Sequence, residues 1–107
     1  MSWIINIEQK YEDYTPSFDS EMELIYAISL LSYDTNKIIN ASNFIPTSLL
    51  CKAITTAYDN HQSHSKSFVV IFQNNQHLPK MSEYFVHVPS LSEAIDYIYM
   101  EELERNL

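Results

Sequence analysis

Glycine is absent from all 107 residues, although average usage of about 7% would supply about seven in a chain this long. A phosphate-cradling P-loop, a dinucleotide-binding fingerprint and a Gly-x-Ser-x-Gly nucleophile elbow each need glycine where backbone must approach a ligand or turn sharply, so none of them is present. Left-handed turns then fall to asparagine, the next best residue at positive φ, and Asn60, Asn74 and Asn75 stand where turns are wanted. Basic residues are scarce: six Lys and Arg against 14 Asp and Glu give a net charge of −8 and a pI near 4.7. A phosphate-backbone binder needs clustered cations, so nucleic acid is not expected as a direct partner. The single cysteine, Cys51, has no internal disulfide partner, which fits a reducing compartment. No apolar run approaches the roughly 18 to 20 residues of a membrane span, and Met1-Ser2-Trp3-Ile4 lacks the basic start of a signal peptide, so a cytoplasmic location away from membranes is expected.

What is there is the mixture of a folded protein, 46% hydrophobic and 19% charged, with enough chain for one core and a single domain over residues 1–107. The run Lys66-Ser67-Phe68-Val69-Val70-Ile71-Phe72 carries no charge after its lysine. A short β-branched and aromatic run between polar clusters reads as a strand covered on both faces. The segments on either side supply the cover, because both read as amphipathic helices.

Along the chain, Trp3, Ile5 and Ile7 alternate with Ile4, Asn6 and Glu8, which predicts a half-buried strand. The charged residues Gln9 to Asp13 turn the chain into a second extended segment, Tyr14 to Phe18, which Pro16 marks as an edge. Ser20 and Glu23 form a capping box before a helix over about 21–33, with Met22, Leu24, Ile25, Ile28 and Leu31 at helical spacing. Lys37-Ile38-Ile39-Asn40-Ala41 is a second buried strand. Pro46 fits the first turn of a second helix that runs to about Tyr58 with Leu49, Leu50, Ala53, Ile54, Ala57 and Tyr58 as its stripe. The polar residues Asp59 to Ser65 and the stretch Gln73 to Ser82 read as loops. Tyr84 to Val88 is a last strand, and Ser90 with Glu93 caps a final helix with Leu91, Ala94, Ile95, Ile98 and Leu103 inward.

No catalytic constellation stands out. His61 and His64, three apart, form a possible metal pair, but they fall in a polar loop with no third ligand nearby. Cys51 lies beside an apolar stripe, where cysteine is inert packing. Glu101, Glu102 and Glu104 read as the outer face of the last helix, with Arg105 reaching back to Glu101 at the favourable spacing of four. Tyr97 and Tyr99 point to different helix faces, so at most one belongs to the core. Neither a metal nor a cofactor is expected, and the chain reads as a non-enzyme, a monomer or weak homodimer.

The order strand, strand, helix, strand, helix, strand, strand, helix resembles the STAS domain. Lys37-Ile38-Ile39-Asn40-Ala41-Ser42-Asn43-Phe44 is similar to the strand and Leu-Ser-x-Val turn that precede that family's second helix. The tail Val86-His87-Val88-Pro89-Ser90-Leu91-Ser92-Glu93-Ala94 resembles its closing strand and Ser/Thr-Leu-x-Glu-Ala helix. From Tyr97 through Arg105 the chain looks like a group of small bacterial STAS-like proteins, some described as anti-sigma factor antagonists and some carrying a ribonuclease Z label. The resemblance implies an α/β fold, STAS-like (SpoIIAA-like), with a mixed four- to five-stranded sheet and about three helices.

It also implies a protein-binding switch without chemistry of its own, which meets a kinase-like anti-sigma factor through the start of the second helix. Asn43, Phe44, Pro46, Thr47 and Ser48 are the matching partner-binding candidates, and Thr47 or Ser48 the candidate phosphoacceptor. The family's Asp-Ser-Ser-Gly-Leu-Gly pattern is here without its aspartate and both glycines. The same hydroxyls equally serve to satisfy free amides in a first helical turn. An alternative drawn from the second label is an accessory protein of an RNA-processing nuclease. Nuclease activity of its own is excluded, since the chain has no His-x-His-x-Asp-His metal motif.

Overall fold

The central strand is apolar on both faces because it lies in the middle of a parallel sheet, with helices above and below. A computed structural model describes residues 4–6, 11–14, 20–73 and 80–106. The elements are β1 (Ile4–Asn6), β2 (Tyr11–Tyr14), α1 (Glu21–Ser29), β3 (Asn36–Asn40), α2 (Ser48–Ser63), β4 (Phe68–Ile71), a 3-10 helix (Lys80–Tyr84), β5 (Val86–Val88) and α3 (Leu91–Arg105). They build a five-stranded sheet in the order β1-β2-β3-β4-β5. β1 runs antiparallel to β2, and β2 to β5 are mutually parallel. No described helix is long and apolar enough to cross a membrane.

Strand order that never reverses has a geometric consequence. Crossovers of one hand that always step in the same direction must land on the same face of the sheet. Accordingly α1 and α2 share one face, where Leu24, Ile28, Leu50 and Ile54 meet Tyr14, Ile39, Phe68 and Val70. The opposite face, Tyr11, Ile38, Val69 and Ile71, is left to α3 through Ala94 and Ile98. The period of two along each strand assigns these side chains to the two layers. Each fully buried Val, Ile or Phe contributes about 1.5–3 kcal/mol, so a polar side chain at Val70 would undo the larger layer.

Several boundaries differ from expectation for definite reasons. Tyr11–Tyr14 is a strand where the charged stretch was expected to turn the chain. Its charged middle is accepted because Glu12 lies opposite Lys37 in the β2–β3 register. That strand is internal, with β1 on one side and β3 on the other. α1 ends at Ser29, four residues early, and the chain leaves the helix so that Tyr33 can lie against His61 and His64. Pro46 precedes α2, whose N-cap is Thr47. α2 continues five residues past Tyr58, through most of the expected loop. Its buried positions Leu50, Ile54, Ala57 and His61 follow the 4-3-4 spacing of one helical face. Met22, Leu49, Leu91 and Leu103, expected inside, are more than two-fifths exposed.

Asn60 is helical; among the described residues the left-handed backbone position is Ser65, φ 59°. There the Lys66 amide donates to the His61 carbonyl (2.8 Å) and the Ser65 amide to that of Gln62 (3.0 Å), a Schellman closure made with serine where glycine is usual. Trp3, Ile7, Tyr14 to Phe18 beyond Tyr14 itself, Asn74 and Asn75 lie outside the described residues.

Candidate functional site

β3 delivers the chain to the site. At its end the Asn40 side-chain oxygen accepts from the Ser42 amide (3.2 Å) and hydroxyl (2.7 Å), and the Phe44 amide donates to the Ala41 carbonyl (3.0 Å). These local bonds shape the turn without glycine. Phe44 and Pro46 point inward and anchor it, while Asn43 and Ser48 face solvent. Thr47 caps α2: its hydroxyl accepts from the Leu50 amide (3.2 Å) and donates to a Glu21 carboxylate oxygen at the start of α1. The sequence candidates are thus brought together, with different roles. Thr47 performs the capping task that competed with phosphorylation in the sequence.

Beside this turn Ile45 is 80% exposed and Leu49 more than half exposed. Met22 and Tyr26 of α1 and Leu30 at its C-cap are also more than half exposed, and spacing of four puts the three in one stripe along α1. A shallow depression of about 300 Å³ lies between Glu21, Asn43, Phe44, Ile45 and Thr47. Beside it, a groove of about 250 Å³ runs between α1 and α2, lined by Ile25, Ser29, Tyr33, Ala53, Thr56 and Asn60 among others. Glu21 and Glu23 stand in the first turn of α1, whose last turn has no basic residue.

Chemistry-bearing side chains are sequestered elsewhere. Cys51 is fully buried and burial pushes its thiol up, away from thiolate. His61 is fully buried too, with Nδ1 2.7 Å from the Ala57 carbonyl oxygen, and burial and then the Lys37 charge hold its pKa down. The loop expected around His61 is therefore corrected: the ring is core. His64 is exposed and sits 2.8 Å from the Asn60 carbonyl oxygen. The Tyr33 ring contacts both histidines, so the two do not face a common ligand. Among the described residues no three His, Cys, Asp or Glu side chains gather to hold a metal ion.

Two polar networks at the starts of the parallel strands escaped the sequence. On the α1–α2 face, Lys37 Nζ lies 3.6 Å from Glu12 and donates to the Thr35 carbonyl (3.0 Å). Burial lowers the Lys37 pKa while Glu12 opposes that shift. On the α3 face, Ser67 donates to Glu101 (2.6 Å), Asn36 to Glu102 (2.8 Å), and Arg105 to Ser67 (2.9 Å) and Glu102 (3.2 Å). Glu101 and Glu102 thus turn inward rather than outward, because Ser67 and Asn36 need partners at the rim of the sheet. Only Glu104 of that trio is exposed. A charged residue inside an apolar strand, Lys37, and the 4-3-4 spacing reaching His61 were the available signals.

No protein-family model matches the chain, and no curated protein matches its sequence.

Proposed function

We propose that this chain is a non-enzymatic protein-interaction module, STAS-like and akin to anti-sigma factor antagonists, that binds a partner protein at the start of α2. The observation that carries the reading is the exposure of Ile45 and Leu49 on either side of the capped turn, with Met22 exposed in the first turn of α1, whose Glu21 bonds to Thr47. Large apolar side chains left in water at one turn are characteristic of docking sites. Glu21 and Glu23 border it on a chain of net charge −8, which favours a partner with an apolar centre and a basic rim over a second copy of the chain.

Ser48 is the better of the two candidate phosphoacceptors. It is exposed at the first helical position, whereas the Thr47 hydroxyl already bonds to the Leu50 amide and Glu21. A phosphate on Ser48 is favoured by the helix N-terminus and adds about −2 charge beside Ile45 and Leu49, where desolvating it against the partner's apolar centre opposes binding.

The test is affinity capture with wild type, Ile45→Asp and Leu49→Glu, followed by identification of what is retained. A kinase-like anti-sigma factor lost at least about tenfold by both variants supports the reading. A partner retained equally by all three proteins, or an RNA-processing nuclease in its place, overturns it.

A further inference from the structure

We propose that His61 is a pH-operated latch: protonation of its ring releases the last turn of α2 and the loop of residues 30–35 that Tyr33 ties to it. The inference stands whether or not the α1–α2 face binds a protein.

The ring is fully buried. Its Nδ1 is satisfied by the Ala57 carbonyl, and its Nε2 is buried without a full hydrogen bond, the Ser32 backbone being the one further polar neighbour that favours a proton. The Phe68 ring centre lies 4.9 Å from that of His61 on the sheet side, and the Tyr33 ring centre 5.3 Å away and nearly perpendicular on the loop side. A neutral imidazole tolerates such apolar walls, but an imidazolium adds a second N–H donor and a charge.

The charged surroundings do not receive it. Phe68 is opposite Lys37 in the β3–β4 register, so the nearest sheet charge is another cation, itself fully buried. From β2 comes Glu12, already bound to Lys37 and Thr35. The loop before β3 contributes Tyr33 and Asp34, with Asp34 bonded to Ser32 (2.6 Å). α2 contributes His64, and Lys66 follows as a further cation. A proton taken up from solvent at Nε2 therefore has no free carboxylate to face. Burial lowers the folded pKa of His61 below the ordinary 6.5, and the Lys37 and His64 charges act the same way, against the Ala57 and Ser32 backbones, which raise it. Stability gained from the neutral ring is thus full above pH 6.5 and is lost as pH falls from there toward the depressed folded value.

The segment that gives way is the one His61 holds. Tyr33 contacts the His61 and His64 rings and accepts from Asn60 (3.2 Å). All three partners lie within the last turn and cap of α2, which closes on Ser65 in a left-handed conformation. Tyr33, Ala57 and Asn60 also line the groove between α1 and α2. Opening the latch therefore reshapes that groove.

Ring proton NMR of the intact protein from pH 8 to 5, with amide hydrogen exchange at each pH, tests the latch. His61 is expected to stay neutral below pH 6.5 while the folded state persists. Exchange of residues 30–36 and 57–66, corrected for intrinsic rates, is expected to rise by up to about tenfold per pH unit below that point, ahead of α3. His61→Phe keeps a ring against Phe68 and Tyr33 but binds no proton, and it should flatten this rise. An ordinary His61 titration in the folded protein overturns the proposal, as does a rise spread evenly over the chain or one unchanged in His61→Phe. Should that variant fail to fold, the wild-type titration and exchange pattern decide alone.

Discussion

Lys37 and Glu12 face each other across the β2–β3 register, with Nζ 3.6 Å from the carboxylate and the lysine side chain 1% exposed. This pair explains why a charged tetrapeptide is a strand at all. Removing one partner of a buried pair leaves the other charge uncompensated, which costs about 3 kcal/mol or more, whereas removing both leaves packing. Glu12→Gln is therefore expected to lower stability by roughly 3 kcal/mol, and adding Lys37→Met should restore part of it. Urea unfolding of the single and double variants measures this; a double variant less stable than Glu12→Gln would refute it.

Ser65 is the second lever. A left-handed conformation costs a residue with a Cβ about 1–2 kcal/mol, part of which glycine returns as unfolded-state entropy. Ser65→Gly should gain about 0.5–1 kcal/mol in a urea titration. Ser65→Val, with a branched Cβ at φ 59°, should lose stability instead.

At the start of α2 the two neighbouring hydroxyls should separate cleanly. Thr47→Ala removes the cap and the Glu21 contact, and a loss of about 1 kcal/mol is expected. Ser48→Ala changes an exposed side chain and should stay within about 0.5 kcal/mol. Thermal unfolding of the two variants side by side provides the comparison, and equal losses would argue against the division of roles.

Alkaline pH reports on α3. The Tyr97 hydroxyl donates to Glu101 (3.2 Å), and burial followed by the Glu101 charge pushes its pKa up to about 12. A raised folded pKa means stability is fully present below the ordinary value near 10 and is lost as pH climbs toward 12. Wild type should lose stability in that window, and Tyr97→Phe should lose less. An identical alkaline profile for both would show that Tyr97 does not contribute.

The element order was legible in the sequence because it rests on hydrophobic period and capping boxes. Ser20 and Ser90 accept from the Glu23 and Glu93 amides (3.3 and 3.2 Å), the serine half of those boxes. Boundaries failed where a tertiary partner overrode local pattern. Glu12 made a strand of a charged segment, His61 carried a helix through polar residues, and Glu101 with Glu102 turned the last turn of α3 inward. Local sequence holds no record of such partners, since Asn36 and Glu102 stand 66 residues apart. The candidate turn itself was found from Asn43 to Ser48, but the apolar stripe of α1 beside it was not. Met22, with Ile25, Ile28 and Leu31, was assigned to the interior, although the helix turns it outward.

Sequential strand order leaves one side of the sheet, Ile38, Val69 and Ile71, roofed by α3. During translation that side must wait, wet, until residues 91–105 have left the ribosome. A chain halted at Pro89 should bind a hydrophobic dye that the chain through α3 does not, and its absence of signal would deny the delay. Closure of this layer is thus timed by α3, and vectorial synthesis exposes a greasy, aggregation-prone plane for as long as that helix is missing.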